Sequence, residues 1–126
     1  MNTEEEETIV EFEHVLAVAP VTDLETAVQW YTRLFGRGPD NNPMETLVEW
    51  RVTDSGWLQV FRTEDSPGAG AVNLAVADLD GAVSQVRERG LEPGEVLEAS
   101  KGVRLSALTD PAGNTITLIG GFRTVY

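Results

Sequence analysis

The side chains best suited to hold a small molecule are concentrated in two short segments. Trp57, Gln59 and Phe61 alternate with apolar residues, and Glu49 and Arg51 alternate in the same way a few positions earlier. Because alternate residues of a strand share one face, this spacing would present two rings, an amide and two opposite charges together. Rings stack on flat or extended compounds, and the polar groups fix their orientation. The pattern predicts a ligand-binding surface.

Proton transfer is a second chemistry open to this chain. Glu49, or the single histidine, His14, could act as a general acid or base on a compound stacked against Trp57. The same residues have plainer interpretations, since Glu49 and Arg51 can form an ordinary surface pair and His14 can simply be solvated. With no cysteine in the chain, thiolate catalysis, cysteine zinc sites and disulfides are excluded.

Composition and charge narrow the choice of partners. The chain has 126 residues, 41% of them hydrophobic, which suits one domain with its own core. Its net charge of -12 repels phosphate backbones, so nucleic acid is not an expected partner. No segment approaches the roughly 20 apolar residues of a membrane span. We expect a cytoplasmic protein with an acidic flexible tail over residues 1–10, where four consecutive glutamates stand.

An internal repeat divides the rest of the chain. The segment VTDLETAV at 21–28 matches VADLDGAV at 76–83 with an offset of 55 residues. Each copy follows a small apolar strand, predicted at 16–21 and at 71–76. The interpretation is a single domain over 11–122, made of module one (11–63), a linker (64–70) that ends in Pro-Gly-Ala-Gly, and module two (71–122).

Each repeat then continues as a helix. Apolar residues recur at spacings of three and four, which gives one apolar stripe per helix. Thr22 with Glu25 reads as a capping box and Asp23 is the competing N-cap, whereas Asp78 caps the second helix. The helices are predicted to end at Gly36 and Gly90. The stripes are Leu24, Ala27, Val28, Tyr31, Leu34 and Phe35 in the first, and Leu79, Ala82, Val83 and Val86 in the second.

After each helix the apolar period changes to two, which predicts strands. These lie at 47–52 and 57–61 in module one, and at 95–98, 103–109 and 115–120 in module two. The expected fold class is α+β, with two tandem βαβββ modules forming a half-closed mixed sheet trough. Strand parity predicts a ligand-facing set that includes Leu16, Val18, Glu49, Arg51, Trp57, Gln59, Phe61, Asn73 and Thr117.

Two longer motifs carry a family resemblance. The segment VTDLETAVQWYTRLFG at 21–36 resembles the opening motif of the vicinal oxygen chelate superfamily, and DPAGNTI at 110–116 resembles its closing hairpin. With LAVADL at 74–79 between them, the resemblance covers most of residues 14–120. It implies the glyoxalase, bleomycin resistance and dioxygenase fold, and also a homodimer in which modules from two chains pair. The activities within this superfamily are diverse.

In metal-dependent members the resemblance implies four inward-facing ligands, usually His, Gln or Glu. The corresponding positions here are Leu16, Gln59, Ala71 and Thr117. Leucine and alanine offer no lone pair, and one amide with one hydroxyl does not hold a divalent cation against water. We therefore expect no metal and no cofactor, unless a shifted alignment makes His14 a ligand.

Two classes of function remain, a binding protein and an enzyme. The favoured one is a metal-independent binding protein that sequesters a hydrophobic or cationic compound, as in antibiotic resistance. The alternative is an enzyme of the same fold, a glyoxalase-like lyase or isomerase or a dioxygenase, with metal-free acid and base chemistry or with a non-standard metal site. The sequence specifies neither the ligand, nor turnover, nor whether the trough closes within one chain or across a dimer.

Overall fold

A computed structural model describes residues 9–126. These residues contain two α-helices, eight strands and one short 3-10 helix. Residues 1–8, which contain most of the predicted acidic tail, lie outside the described residues. The first repeat contains β1 (Val15–Val21), α1 (Leu24–Phe35), β2 (Asn41–Met44), β3 (Leu47–Arg51) and β4 (Gly56–Arg62). The second contains β5 (Ala71–Val76), α2 (Leu79–Glu88), β6 (Leu97–Glu98), the 3-10 helix (Ser100–Gly102), β7 (Arg104–Thr109) and β8 (Thr115–Gly120).

The strands form two four-stranded sheets of the same design. Their orders are β1-β4-β3-β2 and β5-β8-β7-β6. In each sheet the first strand pairs with the last in parallel, and the other pairs are antiparallel. The expected α+β fold of two βαβββ modules is therefore confirmed. Strands β1 and β5 are in contact where the sheets meet, and neither helix within residues 9–126 is long and apolar enough to span a membrane.

Aspartates begin both helices. The carboxylate of Asp23 accepts hydrogen bonds from the main-chain N–H of Thr26 at 3.3 Å and from its hydroxyl at 2.9 Å. Asp78 accepts the equivalent bond from Gly81 at 3.1 Å. Of the two alternatives for the first helix, Asp23 is thus the N-cap. This helix ends at Gly36, whose φ of 75° is the left-handed conformation that favours glycine.

One face of each sheet is covered by the helix of its own repeat. In the first repeat the aromatic rings of Tyr31, Phe35 and Trp50 pack together with centroids 5.6 to 6.4 Å apart. Trp50 is fully buried, and its indole N–H donates to the carbonyl of Arg37 at 2.9 Å. Trp30 is half-buried and packs edge-on against Tyr31. Within residues 9–126 no helix covers the opposite face of either sheet.

Strand β2 and the 3-10 helix are absent from the sequence prediction. All four residues of β2 are exposed, and Pro43 is accommodated because this strand lies at the sheet edge. Asn42 supports the hairpin, since its side-chain amide donates to the carbonyls of Met44 and Leu47 at 2.8 Å each. A segment without apolar alternation gives no strand signal.

A buried polar network joins the two repeats. One carboxylate oxygen of Asp110 accepts three main-chain N–H groups of its own turn, at 2.9 Å each. The other oxygen accepts the hydroxyl of Tyr31 at 2.6 Å and the amide of Asn114 at 2.8 Å. Tyr31 belongs to α1 of the first repeat, so this turn of the second repeat is bonded directly to the helix of the first.

Asn114 completes this network. Its amide also donates to the carbonyl of Pro20 at 2.8 Å, and its carbonyl accepts the N–H of Gly70 at 2.7 Å. On the helix side, the guanidinium of Arg89 donates to the carbonyls of Arg33 and Leu34 at the end of α1. Since the carboxyl-terminal ends of the two helices touch, both lie on the same side of the sheets. The uncovered faces therefore share the opposite side.

Loss of the Asn114 side chain should be the most damaging small change at this junction. Asn114→Ala leaves the Gly70 N–H without its acceptor and removes one donor each from Asp110 and from the Pro20 carbonyl, which keeps its bond from the Gly68 N–H. We expect a loss of about 3 kcal/mol or more in the free energy of unfolding. Tyr31→Phe removes one hydrogen bond and should cost about 1 to 2 kcal/mol. Urea unfolding measures both. The exposed neighbour Thr115→Ala is the control, and an equal effect of Asn114→Ala and Thr115→Ala would contradict this account.

Alkaline pH should weaken the folded state through Tyr31. Burial, and then the hydrogen bond to Asp110, raise the pKa of this phenol above its ordinary value of 10.0. The folded state thus keeps the phenol neutral while the unfolded chain ionises, so the stabilisation is complete below about pH 10 and declines above it. Unfolding free energies between about pH 9 and about pH 11 should fall more steeply for the natural chain than for Tyr31→Phe. Parallel curves would exclude this role.

Candidate functional site

The strand register of the first sheet brings most of the predicted ligand-facing residues onto one face. Leu16 lies opposite Trp57, and Val18 lies opposite Gln59. On the other side of β4, Glu49 lies opposite Gln59 and Arg51 lies opposite Trp57. Directly opposite residues share a face. This surface, which we call the open face of the first sheet, contains Leu16, Val18, Glu49, Arg51, Trp57, Gln59 and Phe61.

The open face is apolar and accessible. Leu16 is 52% exposed and Val18 is 46% exposed, whereas Val48 and Val60 on the helix-covered face are 5% and 0% exposed. The rings of Trp57 and Phe61 are half-buried, as are Glu49 and Gln59, whereas Arg51 is exposed. A contiguous apolar surface with few polar groups is typical of a binding site.

Glu49 is held at the centre of this face by two amides. The side chain of Gln59 donates to one carboxylate oxygen at 2.7 Å, and that of Asn41 donates to the other at 3.2 Å. The three residues come from three adjacent strands, so the carboxylate is fixed in position. Asn41 is missing from the predicted set. Its only signal in the sequence is the Asn-Asn pair before Pro43, which resembles a loop.

Arg51 does not pair with Glu49. Its guanidinium donates to the carbonyl of Asp54 at 2.8 and 3.2 Å and lies 5.9 Å from the ring centroid of Trp57. Within residues 9–126, no cationic side chain forms an ion pair with Glu49. The open face therefore carries a carboxylate whose charge is not neutralised by a neighbouring cation.

The second sheet contributes Asn73 and Thr117. These two residues lie opposite each other on β5 and β8, on the face away from α2. Asn73 also lines a cavity of about 260 Å³ at the junction of the sheets, and Trp57 lines the same cavity. The structure thus brings Asn73 to the edge of the open face of the first sheet, while Thr117 lies one strand further away.

His14 lies apart from Glu49. It is exposed and precedes β1, four residues before Val18, which is level with Gln59 and Glu49. Four strand residues span about 13 Å, so the imidazole and the carboxylate do not meet at one reacting bond. Of the two candidate catalytic residues, only Glu49 lies among the aromatic side chains.

The positions at which this fold implies metal ligands do not fit a metal. Leu16 and Ala71 are hydrocarbon side chains, and Gln59, whose amide nitrogen donates to Glu49, offers a single neutral carbonyl oxygen. Thr117 offers only a neutral hydroxyl. Across residues 9–126, no group of three or more His, Asp or Glu side chains is arranged to hold a metal ion. A divalent cation needs several oxygen, nitrogen or sulfur ligands, which this set lacks.

The fold has counterparts among known proteins. A glyoxalase/bleomycin resistance protein from Catenulispora acidiphila is 29% identical, with a TM-score of 0.80 over 86% of this chain and 98% of that one. The bleomycin-binding protein of Streptomyces verticillus, in complex with copper(II)-bleomycin, is 22% identical, with a TM-score of 0.75 over 90% and 100%. Lactoylglutathione lyase from Agrobacterium tumefaciens is 18% identical, with a TM-score of 0.70 over 85% and 92%. None of the curated proteins matches the chain in sequence.

The two low-identity likenesses establish the fold alone, because proteins of this architecture differ widely in activity. The family model is more informative, since it matches residues 11–118 and so includes both repeats, with all of their strands except the last two residues of β8. The chain belongs to the Glyoxalase/Bleomycin resistance protein/Dioxygenase superfamily.

Proposed function

We propose that this chain is a metal-independent binding protein that sequesters a hydrophobic, cationic small molecule, as antibiotic-resistance members of the superfamily do. The ligand lies on the open face of the first sheet, with its flat part against Trp57 and Phe61. Asn73 approaches from the second sheet, and Thr117 lines the same trough. The lack of cysteine agrees with an intracellular, cytoplasmic setting.

The observation that carries this proposal is the carboxylate of Glu49. It is half-buried among apolar side chains, its orientation is fixed by Asn41 and Gln59, and it has no cationic partner. A protonated amine of a ligand supplies the missing charge and a strong hydrogen bond. The remaining surface of such a ligand is stabilised by contact with the rings and with Leu16 and Val18.

A second copy of the chain is proposed to complete the trough. The open face leaves Leu16 and Val18 half-exposed in a single chain, and both uncovered sheet faces lie on the same side of the molecule. Covering apolar surface of this kind favours association. The homodimer that the family resemblance implies would bury the open face and enclose the ligand.

Native mass spectrometry of untreated protein tests the assembly and the metal independence together. We expect a dimer without stoichiometric metal, because the ligand positions lack donors and the open face is apolar. A co-purified organic compound on the dimer would identify the ligand directly. A monomer at micromolar concentration would exclude a shared trough. One zinc, nickel, iron or manganese ion per trough would overturn the metal-independent proposal.

An enzyme with metal-free acid and base chemistry is the alternative. It is favoured by the same carboxylate, which stands beside the rings where a substrate would stack, and by the fold shared with a lactoylglutathione lyase. In that case Glu49 would move a proton of the bound compound. The two proposals differ in what Glu49 does after binding.

Calorimetric titration with metal-free bleomycin tests these roles. Bleomycin is the cationic compound bound by the Streptomyces verticillus protein of the same fold. Trp57→Ala should weaken affinity about tenfold or more, through lost stacking. Glu49→Gln should weaken it by about tenfold to a hundredfold, because a charge-assisted bond is lost. Glu45→Gln, an exposed change of equal charge in the β2–β3 turn, is the control.

Three outcomes would count against the binding protein. If Glu49→Gln and Glu45→Gln bind bleomycin with equal affinity, the Glu49 carboxylate is not part of the binding site. Turnover of a bound compound that Glu49→Gln abolishes without loss of affinity would identify the enzyme instead. An absence of bleomycin binding by the natural chain would exclude bleomycin as its ligand.

A further inference from the structure

The edge of β3 that faces away from β4 and the edge of β7 that faces away from β8 are equivalent in the two repeats. The hydrogen bonds along these two edges differ. In the first repeat the N–H of Asp40 donates to the carbonyl of Glu49 at 2.8 Å, and in the second that of Gly94 donates to the carbonyl of Ala107 at 2.7 Å. Gly94 is therefore the counterpart of Asp40. Two residues further along each strand, Thr109 is the counterpart of Arg51.

In the first repeat, two side chains form hydrogen bonds with the main-chain groups of Arg51 at the strand edge. Its main-chain N–H donates to the carboxylate of Asp40 at 2.7 Å, and its carbonyl accepts from the guanidinium of Arg37. These two side chains also form an ion pair at 2.7 Å. The main chain of Arg51 thus meets one acceptor and one donor that lie next to each other.

The second repeat lacks all of these groups. Gly94 stands in place of Asp40, Leu91 in place of Arg37, and Leu108 in place of the large Trp50. The main chain of Thr109 faces away from β8, because the neighbouring residues 108 and 110 pair with that strand. Within residues 9–126 its N–H and carbonyl have no hydrogen-bond partner.

A cavity occupies the space that these side chains leave. Its volume is about 510 Å³, which is within the range of small-molecule sites. Leu91, Gly94 and Thr109 line one side, and Trp30 and Arg33 of α1 line the other. The guanidinium of Arg33 has no ion pair or hydrogen bond within residues 9–126. None of the residues predicted for the trough lines this cavity.

We propose that this cavity is a second ligand site, which recognises the amide edge of a small molecule. The ligand carbonyl accepts from the N–H of Thr109 and the adjacent ligand N–H donates to the Thr109 carbonyl, as Asp40 and Arg37 do in the first repeat. The body of the ligand lies against the indole of Trp30. This site goes beyond the binding function proposed for the trough.

The length of the free edge decides the kind of ligand. Ala107 is paired with Gly94 on one side of Thr109, and Asp110 is paired with Asn114 on the other. Along this edge, within residues 9–126, only Thr109 has both its N–H and its carbonyl free, whereas an extended peptide strand pairs through several residues. A single primary carboxamide or lactam on a flat body fits this edge.

Benzamide is the probe for the first test, in a titration followed by ¹⁵N–¹H NMR of the full chain. We expect a saturable shift of the Thr109 amide together with the Trp30 indole N–H. Acetophenone keeps the ring and the carbonyl but has no N–H, so it should bind about fivefold more weakly. Equal affinity for the two compounds, no shift at Thr109, or a shift confined to Trp57 would overturn the proposal.

Position 94 allows a matched pair of variants. An added Cβ there approaches the carbonyl of Ala107 at 3.1 Å in either variant, so Gly94→Ala and Gly94→Asp differ only in the carboxylate. Gly94→Asp should place that group on the Thr109 N–H and abolish the benzamide shift. Gly94→Ala should keep it within about threefold in affinity. An equal loss of benzamide affinity in both variants would contradict the proposal. If either variant fails to fold, the comparison of benzamide with acetophenone on the natural chain still tests it.

Discussion

The side-chain amide of Asn114 is the contact on which the arrangement of the two repeats depends. It is fully buried and bonds at once to Asp110, to the carbonyl of Pro20 and to the N–H of Gly70. Buried polar groups of this kind specify one geometry because every alternative leaves them unsatisfied. The closing hairpin, the end of β1 and helix α1 are held together here. The relative placement of the sheets follows, and with it that of the open face and of the cavity beside Trp30.

The pleat of β3 and β4 explains why one short sequence serves both stability and binding. Val48, Trp50, Leu58 and Val60 point toward α1 and are buried, and the residues between them form the open face. Since the core is complete on one side only, the other side is free to carry a carboxylate and two rings. Residues such as Glu49 are tolerated because they replace no core contact. The binding surface is thus a by-product of strand alternation.

Much of this could be predicted from the sequence, because the period of two in each strand assigns a face to every residue. The shared surface of Leu16, Trp57 and Glu49 follows from that parity alone. Strand β2 and its Asn41 were not predicted, because an exposed edge strand shows no apolar alternation. The partner of the Arg51 guanidinium could not be predicted either, because a long flexible side chain can reach several acceptors. The cavity at Thr109 was beyond prediction, because the offset between the repeats changes along the chain and their edges can be matched only through the main-chain hydrogen bonds.

The bond between Tyr31 and Asp110 occurs once, although the chain is a duplication. The positions related to them by the repeat are Val86 and Val52, which cannot form that bond and line a mostly apolar cavity of about 340 Å³ at the other junction. In a pair of identical half-length chains related by a twofold axis, every contact between the halves occurs twice. A contact found once requires that the two halves be encoded separately. The difference between the two junctions therefore arose after the duplication, once each half could change without the other.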